Sequence, residues 1–211
     1  MTLSFYSATT GAMRLALRLL ADWQVLGVEA VPLSGPLIIV ANHIHFLDPP
    51  VLAASLPRKV AILARDDLLR LPGVGLMIRG YDTIAVRRGT PDRRALVRAM
   101  SHLRGGGAVG IFPEGTRSRD GGLGEGRTGA ALLALRTAAP ILPVGISGTR
   151  DVFAALAALR RPRVLIRIGS PFVLRRGEQA GAAARGEATR QIMARIAELL
   201  PAGGSPLPIG T

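Results

Sequence analysis

The 211-residue chain is 48% hydrophobic, enough to fill the core of one large domain, and it contains no cysteine. Disulfides, thiolate metal sites and a cysteine nucleophile are therefore excluded. The formal charge of +13 suits phosphorylated substrates or an anionic membrane surface, whereas 4% aromatic residues is poor material for stacking nucleic-acid bases, so no nucleic-acid partner is expected.

In chain order, residues 1–30 read as an N-terminal helical segment. From Ala12 to Trp23 the positions Met13, Leu15, Leu17, Leu19 and Leu20, with Arg14 and Arg18, predict an amphipathic helix that either packs on the domain or lies in a membrane interface. No apolar run reaches the roughly 18 to 20 residues that span a bilayer. Residues 31–200 follow as one domain. Its strands are expected at Leu37–Ala41, Val60–Leu63, Asp82–Val86, Ala108–Phe112, Ile141–Ile146 and Val164–Ile168. Helices are expected near Pro50–Leu56, Asp92–Leu103, Thr128–Thr137, Val152–Leu159 and Gly186–Leu200. This alternation predicts an α/β fold, a mostly parallel central sheet covered by helices. The stretch from Leu68 to Ile78 is apolar but broken by Pro72 and Gly73, which fits either buried core or a lipid-facing patch. Residues 201–211 read as a disordered tail.

The first chemical signal leaves the first of these strands as Asn42-His43-Ile44-His45-Phe46-Leu47-Asp48-Pro49-Pro50. Asp48 before two prolines suits a helix N-cap. Alternatively its carboxylate accepts from one ring nitrogen of His43, fixing the tautomer and leaving the other nitrogen as a general base. A zinc hydrolase site on His43, His45 and Asp48 is the rival reading. Zinc sites need three or four protein ligands, and beyond these three clustered residues the one remaining histidine, His102, sits on the surface of a predicted helix, so no further histidine completes the set.

The second signal leaves a later strand as Phe112-Pro113-Glu114-Gly115-Thr116-Arg117-Ser118. Arginine offers a planar fork to phosphate oxygens, so this turn can hold an anion. Arg87 and Arg88 leave a third strand, and Arg127 precedes a helix. Strand exits bearing His/Asp, Glu/Arg and Arg/Arg predict convergence on one sheet edge, a phosphate pocket beside a base.

The order NHIHFLD, DTIAVRR, FPEGTRSRDG and AAPILPVGISG resembles the glycerolipid acyltransferases, specifically the 1-acylglycerol-3-phosphate acyltransferase group, over roughly 36–148. The resemblance implies that His43 deprotonates the free hydroxyl of a lysophospholipid while Asp48 orients it. The hydroxyl then attacks the thioester of acyl-CoA or acyl carrier protein, with no cofactor and no metal. It further implies acceptor binding by Arg88 and Arg117 and by Asn42, Glu114, Gly115 and Thr116, with Pro143 on the acyl-donor side. The implied location is peripheral, on the cytoplasmic face of the inner or plasma membrane. Two departures stand out: Arg87 replaces the usual acidic or amide residue, and Arg127 stands where the family has a lysine. Both keep phosphate binding, while leaving another lysolipid or a lyso-aminolipid open as acceptor.

Overall fold

A computed structural model describes residues 5–70, 74–87, 92–174 and 181–201. Its strands are β1 (Asp22–Leu26), β2 (Leu37–Ala41), β3 (Ala61–Arg65), β4 (Ile84–Val86), β5 (Ala108–Ile111), β6 (Ile141–Ser147) and β7 (Arg163–Ile168). Its helices are α1 (Phe5–Leu20), α2 (Asp48–Ser55), α3 (Val74–Arg79), α4 (Arg93–Arg104), α5 (Gly129–Thr137), α6 (Val152–Ala157) and α7 (Ala182–Ala197). The strands form one sheet in the order β1-β7-β6-β2-β5-β3-β4, parallel throughout except for the β6/β7 pair. This is the α/β architecture expected from the alternation of elements.

The sheet is covered on both faces, which is why β2 can be the unbroken apolar run Leu-Ile-Ile-Val-Ala with every residue buried. Its side chains alternate. Leu37, Ile39 and Ala41 join the core beneath α1 and α2, whereas Ile38 and Val40 join the core beneath α4, α5 and α7. The start of α4 is fixed by Asp92, whose Oδ1 accepts from the Arg94 and Ala95 amides at 3.0 Å.

Two elements differ from the sequence reading. The N-terminal helix spans Phe5–Leu20 and ends before Trp23, which belongs to β1 beside β7. An apolar residue directly after an amphipathic helix extends its periodicity, although here the chain has already turned into an edge strand. The Pro/Gly-broken stretch contains a short turn of helix at Asp66–Arg70 and then α3. Leu76 is exposed there, Leu68 and Leu69 are half-buried, and residues 71–73 lie outside the described residues, as does the expected tail beyond 201.

β2 and β5 are parallel neighbours, yet the chain leaves β2 for α2 on one face and β5 for α5 on the other. Their carboxyl ends therefore flank the crevice in which open α/β sheets place ligands. Because β7 runs antiparallel to β6, its start comes to this same edge, with Ser147 opposite Leu165. The end of α1 arrives there too, since the Asp22 amide donates to the Pro162 carbonyl at 2.8 Å.

Candidate active site

His43 and Asp48 stand at the carboxyl end of β2. His43 Nδ1 lies 2.8 Å from Asp48 Oδ2, and that oxygen also accepts the Ile44 and His45 amides at 2.7 Å. With two amide donors already on Oδ2, Nδ1 must be the ring nitrogen that carries a proton. Nε2 has no hydrogen-bond partner among the described residues, and the His43 side chain keeps 17% of its surface open while Asp48 is fully buried. Asp48 does not cap α2, where Leu47 occupies the N-cap position without a side-chain bond. Its carboxylate instead organises the turn between β2 and that helix.

Residues far away in sequence hold the pair. Thr149, fully buried after β6, donates its hydroxyl to Asp48 Oδ1 at 2.5 Å. Glu114 Oε1 accepts the His43 amide at 2.8 Å, and Oε2 accepts the Gly124 amide at 3.0 Å. Burial pushes the Glu114 carboxyl above its ordinary range, with these two amides acting in the opposite direction. Phe112 stacks on the His43 ring at 4.4 Å, and the Ser118 amide donates to the His43 carbonyl at 2.7 Å. Phe112 opens the FPEGTRSRDG motif, though nothing in the motif marks it as the neighbour of His43. Thr149 carries no local spacing signal, and its place two residues beyond the end of β6 is the clue the sequence offers.

Several residues implied as substrate contacts are buried and bonded within the domain. Asn42 is buried, donating to the Ile146 carbonyl at 2.9 Å and accepting the Ile146 amide at 2.7 Å, so it locks β2 to β6. Glu114 is 5% exposed and spends both oxygens on backbone amides. Pro143 is buried within β6 opposite Val40, inside the sheet and below its edge. Buried polar groups must be satisfied, and Asn42 and Glu114 are satisfied by backbone groups.

The remaining candidates do face outward. Gly115 has φ +68°, and a Cβ there would lie 2.8 Å from the Arg127 side chain, so glycine lets that arginine fold back against the turn. Thr116 and Arg117 are exposed. The Arg117 charge is felt at His45. Burial pushes that imidazole below its ordinary range, Asp48 opposes, and Arg117 and then His43 add to the depression. Arg87 leaves β4 toward the same edge, and Arg88 lies outside the described residues.

Two cavities reach this edge. A cleft of about 410 Å³ is lined by Asn42, Ile44, Gly121, Ile146 and Arg150. Arg150 also donates to the Arg119 carbonyl at 2.7 Å, tying the glycine loop to the turn after β6. A second, apolar groove of about 600 Å³ runs between α4 and α5 over Leu63, Val86 and Ile111, the latter two being the last residues of β4 and β5. Among the described residues no three His, Asp or Glu side chains are grouped to hold a metal ion. The His45 ring leans on Phe46, and its Nδ1 is buried without a hydrogen-bond partner.

The fold is an α/β protein whose parallel sheet carries, at its switch point, an imidazole bonded through Nδ1 to a buried carboxylate, with arginines on neighbouring strand exits. The chain belongs to the acyltransferase family, whose model, Acyltransferase, matches residues 22–147. It is 36% identical over 131 residues, 61% of the chain and 52% of the relative, to a 1-acyl-sn-glycerol-3-phosphate acyltransferase of Borreliella burgdorferi. It is 30% identical over 133 residues, 62% of the chain and 47% of the relative, to human 1-acyl-sn-glycerol-3-phosphate acyltransferase alpha. The chain thus spans about half the length of these curated relatives. Among solved structures, the 1-acyl-sn-glycerophosphate acyltransferase PlsC of Thermotoga maritima superposes with a TM-score of 0.69 at 28% identity, covering 92% of this chain and 79% of that one.

Proposed function

We propose that the protein transfers a fatty acyl chain from an acyl-CoA or acyl carrier protein thioester to the free hydroxyl of 1-acylglycerol-3-phosphate, giving phosphatidic acid. The observation that carries this reading is the 2.8 Å bond from His43 Nδ1 to Asp48, which leaves Nε2 as the proton acceptor. Nε2 takes the hydroxyl proton as the oxygen attacks the thioester carbonyl. The tetrahedral oxyanion then collapses, the carbon–sulfur bond breaks, and the proton on Nε2 passes to the departing thiolate. A thioester is already activated, so a base, aligned substrates and a stabilised oxyanion suffice, without a covalent enzyme intermediate.

Arg117 and Arg88 are assigned to the acceptor phosphate, with Thr116 beside them and Arg127 as an added cation at the Gly115 turn. The groove between α4 and α5 suits an acyl chain, being apolar and open at the ends of β4 and β5. No helix among the described residues is long and apolar enough to cross a membrane. The proposed location is peripheral, on the cytoplasmic face of the inner or plasma membrane, where both substrates meet.

The test offers the purified protein a panel of lysolipids with acyl-CoA and with acyl carrier protein thioesters, and identifies products by mass spectrometry. Phosphatidic acid formed by the native protein and not by His43→Ala is the expected result. Product from a different lysolipid alone would overturn the acceptor assignment.

A further inference from the structure

Helix α6 has a composition that a water-facing helix should not have. Val152-Phe153-Ala154-Ala155-Leu156-Ala157 is wholly apolar, yet none of its residues is fully buried. Val152 packs against the core, Ala155 and Leu156 are half-buried, and Phe153, Ala154 and Ala157 are exposed. Phe153 is 54% exposed and stacks on Phe46, itself exposed, with ring centroids 5.7 Å apart. The chain then continues through Ala158 to Leu159, which is 98% exposed and held at φ +55°. A leucine in the left-handed region pays a conformational cost, and full exposure adds a hydration cost; a lone protein in water gains nothing from either.

The neighbours make this tip part of a larger surface. Arg161 donates from Nη2 to the Arg18 carbonyl at 3.0 Å and to the Ala21 carbonyl at 2.8 Å, which fastens the tip to the end of α1. Leu15, Leu19 and Leu20 are exposed on that helix end. Arg18, Arg160 and Arg161 are exposed around the apolar centre, with two acids nearby: Asp151 on α6's own N-terminal side, and Asp22 beyond the end of α1, paired with Arg163 at 3.5 Å. Phe46 lies in the turn between His43 and Asp48, so the surface adjoins the mouth of the site.

We infer that α6 and the Leu159 tip, with Phe46 and the leucines ending α1, form a surface that inserts into an anionic lipid bilayer and sets the His43 opening at the membrane interface. A short helix apolar on all sides is a convex ridge. A flat protein partner covers one side of such a ridge, whereas fluid acyl chains close around it. The flanking arginines stand where lipid phosphates would be, and each basic residue near such a surface attracts it by about 1 kcal/mol. This inference rests on the acyl-transfer reading for its purpose, although not for its test.

Because the chain has no cysteine, Leu159→Cys provides one attachment point for a polarity-sensitive fluorophore, and Ser101→Cys, exposed on α4 toward the opposite sheet edge, provides the control. Vesicles of phosphatidylcholine with phosphatidylglycerol should brighten and blue-shift the probe at 159 and leave the probe at 101 unchanged. The double substitution Phe153→Asp and Leu159→Asp should weaken binding to those vesicles at least about tenfold, since each side chain loses its apolar burial. The same variant should keep kcat/KM within about twofold of native on a short-chain, monomeric lysophosphatidate, because neither residue touches the dyad. Unchanged vesicle affinity in the double variant would overturn the inference. So would a probe at 159 that responds to acyl carrier protein and not to vesicles, which would make the ridge a carrier-docking site. A native protein that binds vesicles but does not turn over the monomeric substrate would sink the functional reading and leave the lipid surface standing.

Discussion

The hydroxyl of Thr149 reaches across 101 residues of sequence to donate a 2.5 Å hydrogen bond to Asp48, and both side chains are fully buried. Asp48 thereby has partners on both oxygens: Thr149 on one, and His43, Ile44 and His45 on the other. Thr149→Val keeps the shape and removes the donor. A hydrogen bond to a charged group contributes roughly 1.5 to 3 kcal/mol, so loss of this hold on Asp48 should lower kcat by about one to two decades through its misorientation, with both KM values little changed. Thr149→Ser should restore most of the rate. A kcat unchanged in the valine variant would show that backbone amides alone hold the carboxylate.

His43→Ala should lower kcat by about two to four decades without raising either KM, since a general base acts in the transition state. His45→Ala should retain most of the activity, because what His45 gives Asp48 is its backbone amide, and alanine has that amide too. Steady-state kinetics of the two variants side by side checks this. Equal loss in both would count against His43 as the base.

Arg117 is exposed and available to an anion, so its loss should appear in the acceptor. Arg117→Ala and Arg88→Ala are each expected to reduce kcat/KM by about one to two decades, mainly through the acceptor KM. Lysine at either place should rescue in part, keeping charge but losing the planar fork. A defect confined to the acyl-donor KM of Arg117→Ala would move that arginine to the donor's phosphates.

Glu114 gives a pH dependence with a definite sign. Its folded-state pKa lies above its ordinary value, so the native state holds the proton longer than the unfolded chain does. Its contribution to stability is complete below the ordinary glutamate range and is lost as pH rises from there through the raised value. Denaturant titrations of native protein and Glu114→Gln across this interval should give a difference that falls with rising pH and then levels off. A difference independent of pH would mean that burial does not disturb this carboxyl.

Much of this arrangement is legible in sequence, and the reasons are local. The five apolar residues of β2 declare a buried parallel strand, and β5 and β6 do the same, so the sheet and its site edge follow from composition alone. His43 and Asp48 are five apart across one turn, a span short enough for spacing to place them together. Thr149 and Glu114 meet that turn from strands elsewhere in the chain, and no spacing rule reaches across such gaps. β1 was hidden for another reason: its residues alternate between exposed and half-buried, and Trp23 continues the apolar rhythm of the preceding helix. Gly27 marks the true boundary. With φ +79° it lies against the Ile168 carbonyl, a close approach that permits no side chain. Asn42, Glu114 and Pro143 belong to the family motifs, and no motif conveys that they are buried.

The clasp between Thr149 and Asp48, with the paired bonds of Asn42 to Ile146, also bears on the order in which the molecule comes together. β2, α2 and the histidine turn are contiguous in sequence and can form early, whereas the chain must pass from β5 across β2 and lay β6 on its other side before either clasp closes. A chain caught before that step would hold every residue of the HxxxxD turn and yet have a carboxylate free to swing. In a refolding experiment recovery of turnover should therefore lag the return of helical signal and coincide with protection of the β6 amides from exchange.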